Sequence, residues 1–266
     1  ARSFGREIDG MHTAAYILGA SALASSVLAL LRDRLFAHTF GAGSELDVYF
    51  AAFRLPDLIF VLVASLFSAY ALIPILAKQN EVERQRYIDT IAIGFMGLMI
   101  VVSAVAYMIA PFIMGLAFPD VMALRGDDVI LLTRILLLQP ILLGFSNILA
   151  AITQTHKQYI LYALAPVVYN LGIIGGLLVF YPILGLSGLV WGVVVGAILH
   201  VLIQLPGVVR GGFFMHIPRF VDKQLFKETM MLSIPRTLAL STSQLVLATF
   251  LVIAGHLASG SIAVFT

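Results

Sequence analysis

The chain has 266 residues, of which 61% are hydrophobic and 11% are charged, and its formal net charge is +2. Soluble domains carry about 45–50% apolar and about 25% charged residues. The composition therefore excludes a water-soluble globule and a disordered chain, and also a nucleic-acid-binding protein, which needs dense lysine and arginine. Because cysteine is absent, disulfides, thiolate metal sites and a cysteine nucleophile are excluded as well. We conclude that this is an integral membrane protein.

Long apolar runs divide the sequence in chain order. A spanning helix needs about 20 mostly apolar residues, and only helices or closed barrels satisfy their own backbone in lipid. Continuous runs, rather than short alternating segments, favour helices over a barrel. The seven predicted spans are residues 13–31, 46–76, 91–118, 129–153, 159–180, 186–209 and 229–257. Another apolar run opens at Ser261, and we expect the chain to end inside an eighth span.

The lysine and arginine residues between these spans predict their orientation. The N-terminal side carries ten of them: Arg2, Arg6, Lys78, Arg84, Arg86, Lys157, Arg210, Arg219, Lys223 and Lys227. Apart from the cluster that ends the first span, the other side carries only Arg125. We therefore expect residues 1–12 to be cytoplasmic. Residues 213–228 mix bulky apolar and basic side chains, which fits either a short amphipathic helix on the cytoplasmic surface or a solvated loop.

Charged side chains cluster near the outer ends of the first two spans. They are Arg32, Asp33, Arg34, Glu45, Asp47, Arg54 and Asp57. An ionisable residue inside a span costs about 2.5–3.5 kcal/mol on insertion scales, and such residues usually face a bundle interior or a water-filled cavity. Asp47 and Arg54 are two helical turns apart, so both can face the same side. Two interpretations stay open: a cavity lining, or an interfacial loop whose arginines extend to headgroups.

Other polar positions carry weaker signals. Arg134 is interpreted as extending outward to headgroups, whereas Arg236, beside Pro235, fits either a cavity or a headgroup position. His200 and His256 are interpreted as packing residues, and mid-span amides such as Gln139 and Asn170 as interhelical hydrogen-bonding groups. Prolines, found at positions 56, 74, 111, 140, 166, 206 and 235, predict kinks.

Two glycine series predict close helix packing, at Gly172 and Gly176 and at Gly188, Gly192 and Gly196. Catalytic signatures are missing: the sequence has no H-E-x-x-H, Walker A or G-x-S-x-G motif. We therefore expect neither an enzyme nor a metal site, and no cofactor.

Several segments resemble the MurJ (MviN) family of lipid II flippases, within the multidrug/oligosaccharidyl-lipid/polysaccharide exporter superfamily. The most specific is residues 30–50, LLRDRLFAHTFGAGSELDVYF, followed by AFRLPDL at 52–58 and LIPIL at 72–76. Residues 165–175, APVVYNLGIIG, and 188–196, GLVWGVVVG, resemble the family's fifth and sixth spans. The resemblance extends through STSQ at 241–244 to GSI at 260–262.

The resemblance implies an all-α polytopic fold of two six-helix lobes around a shared cationic cavity in the bacterial inner membrane. Residues 13–210 would form the six-helix N-terminal lobe, 211–228 a cytoplasmic linker, and 229–266 the seventh span and the start of an eighth. The family's cavity residues match Arg32, Asp33, Asp47 and Arg54 here. Arginine suits a diphosphate because it binds phosphate oxygens with two parallel hydrogen bonds.

The sequence also departs from the family pattern. A further cavity arginine of the family falls on Ser26, and an arginine pair falls on Phe60 and Val61. Arg34, Arg54 or Arg236 would then compensate in a divergent member, or the substrate would differ.

We expect a flippase that moves undecaprenyl-diphosphate-linked peptidoglycan precursor outward by alternating access, with Arg32, Asp33, Arg34, Asp47, Arg54 and Arg236 as substrate-binding candidates. Its expected partners are the anionic lipid-linked precursor, membrane lipids and either a missing C-terminal lobe or a second chain, without nucleic acid. Two alternatives stay open: an exporter of another lipid-linked glycan or a small cation, and a non-transporting membrane scaffold.

Overall fold

The computed structural model describes residues 11–41, 43–212, 222–257 and 260–265, which form helices joined by short connections. The α-helices are α1 (Met11–Phe40), α2 (Ser44–Leu62), α3 (Ala69–Leu76), α4 (Glu81–Ala117), α5 (Pro119–Leu136), α6 (Leu138–Thr155), α7 (Tyr159–Gly175), α8 (Tyr181–Leu184), α9 (Leu186–Leu202), α10 (Leu205–Arg210), α11 (Lys223–Gly255) and α12 (Ser261–Phe265). A 3-10 turn at Ala64–Phe67 joins α2 to α3, and a π-helical turn at Gly176–Phe180 joins α7 to α8.

Among the described residues, five helical stretches are long and apolar enough to cross a membrane. They are His12–Phe40, Glu81–Ala117, Pro119–Thr155, Tyr159–Leu184 and Leu186–Arg210. The bent pair α2 and α3 raises the number to six, which corresponds to the first six predicted spans. The predicted seventh span, residues 229–257, overlaps α11. The apolar stretch of α11, Leu245–Gly255, is shorter than that span. The all-α membrane fold predicted from the sequence is confirmed.

Two spanning helices begin earlier than their apolar runs. Helix α4 starts at Glu81 rather than at residue 91, because Asn80 and Glu83 form a reciprocal capping box. Helix α5 starts with Pro119, whose fixed backbone angle suits a first turn, rather than at residue 129. Polar helix ends outside the lipid are not visible to an apolar-run criterion, so the sequence underestimated both lengths.

The second span bends by 42° at the 3-10 turn and not at Pro56, which lies within α2. The turn buries Phe67, whose ring stacks on Phe226 of α11 and meets Phe95 of α4 edge-on, each with centroids 5.3 Å apart. Gly144 of α6 allows this approach, since a Cβ there would lie 2.4 Å from the Phe95 ring. The bend is therefore held by aromatic packing between four elements.

A glycine seam joins α7 to α9. A Cβ on Gly172 would lie 2.3 Å from the Cα of Gly196, and one on Gly176 would lie 2.5 Å from the Cα of Gly192. These distances leave room only for hydrogen, so the two backbones are in direct contact. The predicted packing role of the glycines is confirmed. Helix α7 also packs along α1 and is thereby fixed between two neighbours.

Helix α11 packs against α2, α3, α4 and α5 and against the 3-10 turn between α2 and α3. We call the end of the bundle where α1 ends and α2 begins the upper end, and the opposite one the lower end. Near the lower end, Arg86 pairs with Asp222 at 3.0 Å, and Tyr87 hydrogen-bonds Thr229 at 2.9 Å. Residues 213–221 of the predicted amphipathic segment lie outside the described residues, whereas 223–228 form the first turns of α11.

Candidate functional site

A polar cavity of about 210 Å³ lies among α1, α2, α6 and α7. Its lining combines charged, amide and aromatic side chains: Arg32, Asp33, Phe36, Tyr49, Phe50, Phe53, Arg54, Asp57, Gln139, Tyr169 and Ile173. Three residues predicted from the sequence, Arg32, Asp33 and Arg54, are therefore brought together. This arrangement favours the cavity lining over the interfacial loop for these three.

Arg32 is held in position from two sides. Its guanidinium contacts the Asp33 carboxylate through Nη2 at 2.8 Å and Nε at 2.9 Å, and Nη1 donates to Asn170 Oδ1 at 3.3 Å. Asn170 in turn donates to Ser25 Oγ at 3.1 Å and to the Pro166 carbonyl at 3.0 Å. The Arg32 head is thus oriented by α1 and α7 before any ligand binds.

Arg54 and Asp57 stand one turn apart on α2 and line the same cavity. Arg54 Nε is buried and has no hydrogen-bond partner in the part of the chain that the structure describes. A buried guanidinium nitrogen without a partner is costly unless a ligand or water satisfies it. Arg54 therefore lines the cavity and keeps one unsatisfied donor.

Asp33 also borders a second, adjoining cavity of about 340 Å³. This space shares Arg32, Phe36 and Phe50 with the first and extends upward to Ala263 of α12. Arg34 lines neither cavity and is exposed, because each residue turns a helix by about 100° and so points it away from Arg32. The structure does not bring Arg34 to the site.

Asp47 has a different environment from the one expected. It is 5% exposed and accepts hydrogen bonds from the backbone amides of Gly260 and, at 2.9 Å, Ala263. Asp47 therefore caps α12 rather than lining the cavity with Arg54. The two residues do share a helix face, but two turns separate them by about 10 Å, and at the height of Asp47 the neighbour is α12.

A second polar cluster lies at the upper end, outside the cavity. Arg125 contacts Asp128 at 2.7 Å and Glu45 at 3.9 Å, and Tyr181 donates to Glu45 at 3.2 Å. Arg125 has a non-helical backbone that kinks α5. These contacts tie α2, α5 and α8 together. Beside them, His256, which directly follows α11, lies 3.4 Å from Asp120, so His256 contacts a carboxylate rather than an apolar core.

The remaining candidates lie elsewhere. Arg134 stands over the Tyr107 ring, 4.3 Å from its centroid, on an exposed face, which agrees with an outward position. His200 bonds Ser146 through Nδ1 at 2.7 Å, as expected of a packing histidine. The side chain of Arg236 lies outside the described residues.

Three polar residues that line the cavity or contact its Arg32 were not selected as binding candidates from the sequence. Gln139 and Asn170 were recognised only as mid-span amides, and Tyr169 was not singled out. The available signal was polarity inside an apolar run, which by itself does not separate a cavity wall from an interhelical bond. Their position became visible only when α6 and α7 were placed against α1 and α2.

This chain is similar to known proteins along most of its length. A family model described as lipid II flippase MurJ matches residues 36–266. The lipid II flippase MurJ of Burkholderia cenocepacia is 28% identical over 255 residues, covering 90% of this chain and 49% of that protein. The probable lipid II flippase MurJ of Haemophilus influenzae is 28% identical over 257 residues, covering 90% and 50%.

A solved structure, "Lipid II flippase MurJ, inward closed conformation", has the same fold, with a TM-score of 0.77 at 20% identity. The likeness covers 93% of this chain and 52% of that one. The chain thus spans about half the length of the curated relatives it matches. Since the family model matches well over half of its residues, this chain belongs to the lipid II flippase MurJ family.

Proposed function

We propose that this chain provides the N-terminal lobe, residues 13–210, and the start of the second lobe of a lipid II flippase. The flippase moves undecaprenyl-diphosphate-linked peptidoglycan precursor from the inner to the outer leaflet. The observation that carries the proposal is a single cavity that holds both Arg32 and Arg54 within apolar helices. Membership of the MurJ family supports this choice of anion.

The two arginines are suited to a diphosphate in different ways. Arg32 is preoriented by Asp33 and Asn170 and keeps N–H groups that these partners do not use. Arg54 presents a buried donor without a partner in the described structure. A guanidinium hydrogen-bonds phosphate oxygens in a planar, two-pronged geometry that is stronger than a neutral hydrogen bond. Both side chains therefore gain more from a phosphate than from apolar contact.

Two acidic residues, Asp33 and Asp57, moderate the binding of a diphosphate without preventing it. Asp33 orients Arg32, and Asp57 lies on the cavity wall beside Arg54. Carboxylates near the binding arginines weaken the attraction for a diphosphate, so the substrate can leave after it has crossed. Transport requires this compromise, because a site that holds its ligand too tightly does not release it.

Transport would rock this lobe against a second lobe about a site near the midplane. Two contacts join the upper ends of the two proposed lobes. Asp47 accepts hydrogen bonds from the backbone amides that begin α12, and His256 lies beside Asp120. We propose that these contacts close the outward side and break when it opens. Arg236 remains a further binding candidate within the whole protein.

The proposed orientation places the N-terminus and the lower end in the cytoplasm, following the distribution of lysine and arginine. Large apolar side chains exposed on α1 and α4, including Leu23, Leu30, Met108 and Phe112, would face membrane lipids or the second lobe. The remaining half of the protein, or a second chain, would complete the cavity. The process moves its substrate and converts no chemical bond.

Complementation tests the proposal. A bacterium depleted of its own flippase would express either residues 1–266 or the longest reading frame that encodes them, and lysis and externally accessible lipid II would be scored. We expect rescue by the longer protein, and loss of rescue in its Arg32→Ala variant at equal membrane abundance. Failure of the longer protein to rescue, or full activity of the Arg32→Ala variant, would contradict the proposal.

A further inference from the structure

Gln139 in the cavity wall uses only part of its hydrogen-bonding capacity. The residue is 6% exposed, and its Nε2 donates to the Tyr169 hydroxyl at 3.1 Å. Its Oε1 is buried and has no hydrogen-bond partner among the described residues. Buried polar atoms are nearly always paired in folded proteins, so an acceptor left open at a binding cavity indicates a missing donor.

The position of Gln139 is fixed by the surrounding backbone. Helix α5 ends and α6 begins around Leu137, which places Gln139 in the first turn of α6, next to Pro140, a residue without a backbone donor. Tyr169, which holds the Gln139 amide, belongs to α7, the helix fixed by the glycine seam. The acceptor therefore stays at the cavity when the cavity is empty, and is already arranged for a ligand.

The chemistry of the missing donor follows from the lining. Arg32 and Arg54 attract an anion, but an anionic oxygen repels the carbonyl oxygen of Gln139. A substrate group that meets Gln139 would therefore carry an O–H or N–H. In a prenyl-diphosphate-linked glycan, neither the prenyl chain nor the ionised diphosphate has such a donor. The nearest one belongs to the first sugar, as a hydroxyl or an amide N–H.

We propose that Gln139 Oε1 accepts a hydrogen bond from the first sugar of the substrate and so distinguishes the loaded carrier from the bare carrier diphosphate. This inference rests on the proposed function. Sites that hydrogen-bond a substrate polar group discriminate strongly against analogues that lack it, because their own polar atom is then unpaired. Such a contact would disfavour return of the spent carrier through the same cavity.

The test measures binding of two probes to the full-length protein in nanodiscs: lipid II and undecaprenyl diphosphate. We expect the unaltered protein to bind lipid II roughly 10-fold more tightly. Gln139→Leu should reduce this preference to within about 2-fold, with affinity for undecaprenyl diphosphate unchanged. Equal preference in the variant and the unaltered protein would overturn the role of Gln139, as would an unaltered protein that binds both probes equally.

Gln204 provides a matched control. It is also fully buried with an unpaired Oε1 in the described structure, but it bonds Ser146 and His200 and lines neither cavity. Gln204→Leu should therefore keep the preference for lipid II, and a loss equal to that of Gln139→Leu would contradict a local contact.

Tyr169→Phe tests the same contact without altering the amide itself. It removes the hydroxyl that positions Gln139. We expect the preference for lipid II over undecaprenyl diphosphate to fall by about 3-fold. An unchanged preference in a folded Tyr169→Phe protein, together with a Gln139→Leu protein that cannot be purified, would count against the proposal. If the unaltered protein binds neither probe better than undecaprenyl monophosphate, the diphosphate site itself fails, which is a separate result.

Discussion

Helix α7 takes part in two neighbouring regions that differ in packing and polarity, the glycine seam and the polar cavity. In one, Gly172 and Gly176 touch the backbone of α9, and only hydrogen atoms fit between the helices. In the other, Asn170 holds the Arg32 guanidinium, and Tyr169, whose ring also lies beside Gly196 of the seam, lines a cavity with arginines and an unpaired amide oxygen. The seam is closely packed and leaves no room for a larger side chain, whereas the cavity contains Arg54 Nε and Gln139 Oε1, which no described residue satisfies. The comparison suggests that the seam provides the rigidity that the cavity needs to keep its polar groups in place.

The largest effect should come from the seam. In Gly172→Leu the new side chain would meet the Gly196 backbone, which cannot move away as a flexible side chain could. We expect a loss of at least about 3 kcal/mol of stability, the upper range for overpacking, measured as a lower melting temperature and yield in detergent. Gly175→Leu, on the same helix with open space around it, is the control and should stay within about 1 kcal/mol of the unaltered protein.

A smaller effect, confined to binding, is expected in the cavity. Arg32→Ala should weaken lipid II binding by roughly 10- to 100-fold, since it removes hydrogen bonds between charged groups. The melting temperature should change little, because Arg32 does not contact the glycines of the seam. Arg34→Ala, two positions further along α1 and outside the cavity, should bind like the unaltered protein. If Arg32→Ala unfolds the protein as Gly172→Leu does, the distinction between a structural seam and a binding cavity is wrong.

Asp47 extends the comparison to the contact between α2 and α12. Asp47→Ala removes the cap of α12, and we expect a cost of about 1 kcal/mol in this contact. Because the chain has no cysteine, Ile262→Cys gives a single reporter at a buried position of α12. A thiol reagent should label it several-fold faster in the Asp47→Ala background, whereas Asp47→Asn, which keeps an acceptor, should label slowly. Equal labelling in all three would mean that the cap does not hold α12.

The smallest effect is expected at Arg134, on the outer surface. Its contact with the Tyr107 ring is exposed, and such cation–π pairs contribute about 0.5–1 kcal/mol. Arg134→Gln should therefore lower stability by no more than about 1 kcal/mol and leave lipid II binding unaltered. A binding defect would place Arg134 in the transport path and extend the functional region beyond the cavity.

Much of the fold could be predicted because it depends on local sequence. Apolar length predicted the spans, since lipid requires each helix to satisfy its own backbone. The spacing of four residues between glycines predicted the seam, because residues four apart lie on the same helix face. The bend at Ala64–Phe67 could not be predicted, since it is stabilised by Phe95 and Phe226 from distant helices. The nearby prolines suggested other positions.

The cavity was only partly predictable, for the same reason. Charge inside an apolar run identified Arg32, Asp33 and Arg54, because unpaired charge in lipid is costly enough to require a polar environment. The sequence did not show that Asp47, 213 residues from Gly260, would cap a helix instead. Nor could it separate Gln139 from the other buried amides.

The sequence by itself determined that this chain is helical, spans a membrane and carries charge at the ends of its first two spans, since each property depends on residues close together in the chain. Only the tertiary structure decided which of these charges share a cavity. That choice depends on the height and rotation at which separate helices meet, and the glycine seam and the Phe67 contacts hold those helices in place. A hydrogen bond between helices forms or fails over a few tenths of an ångström, a distance that no local pattern specifies.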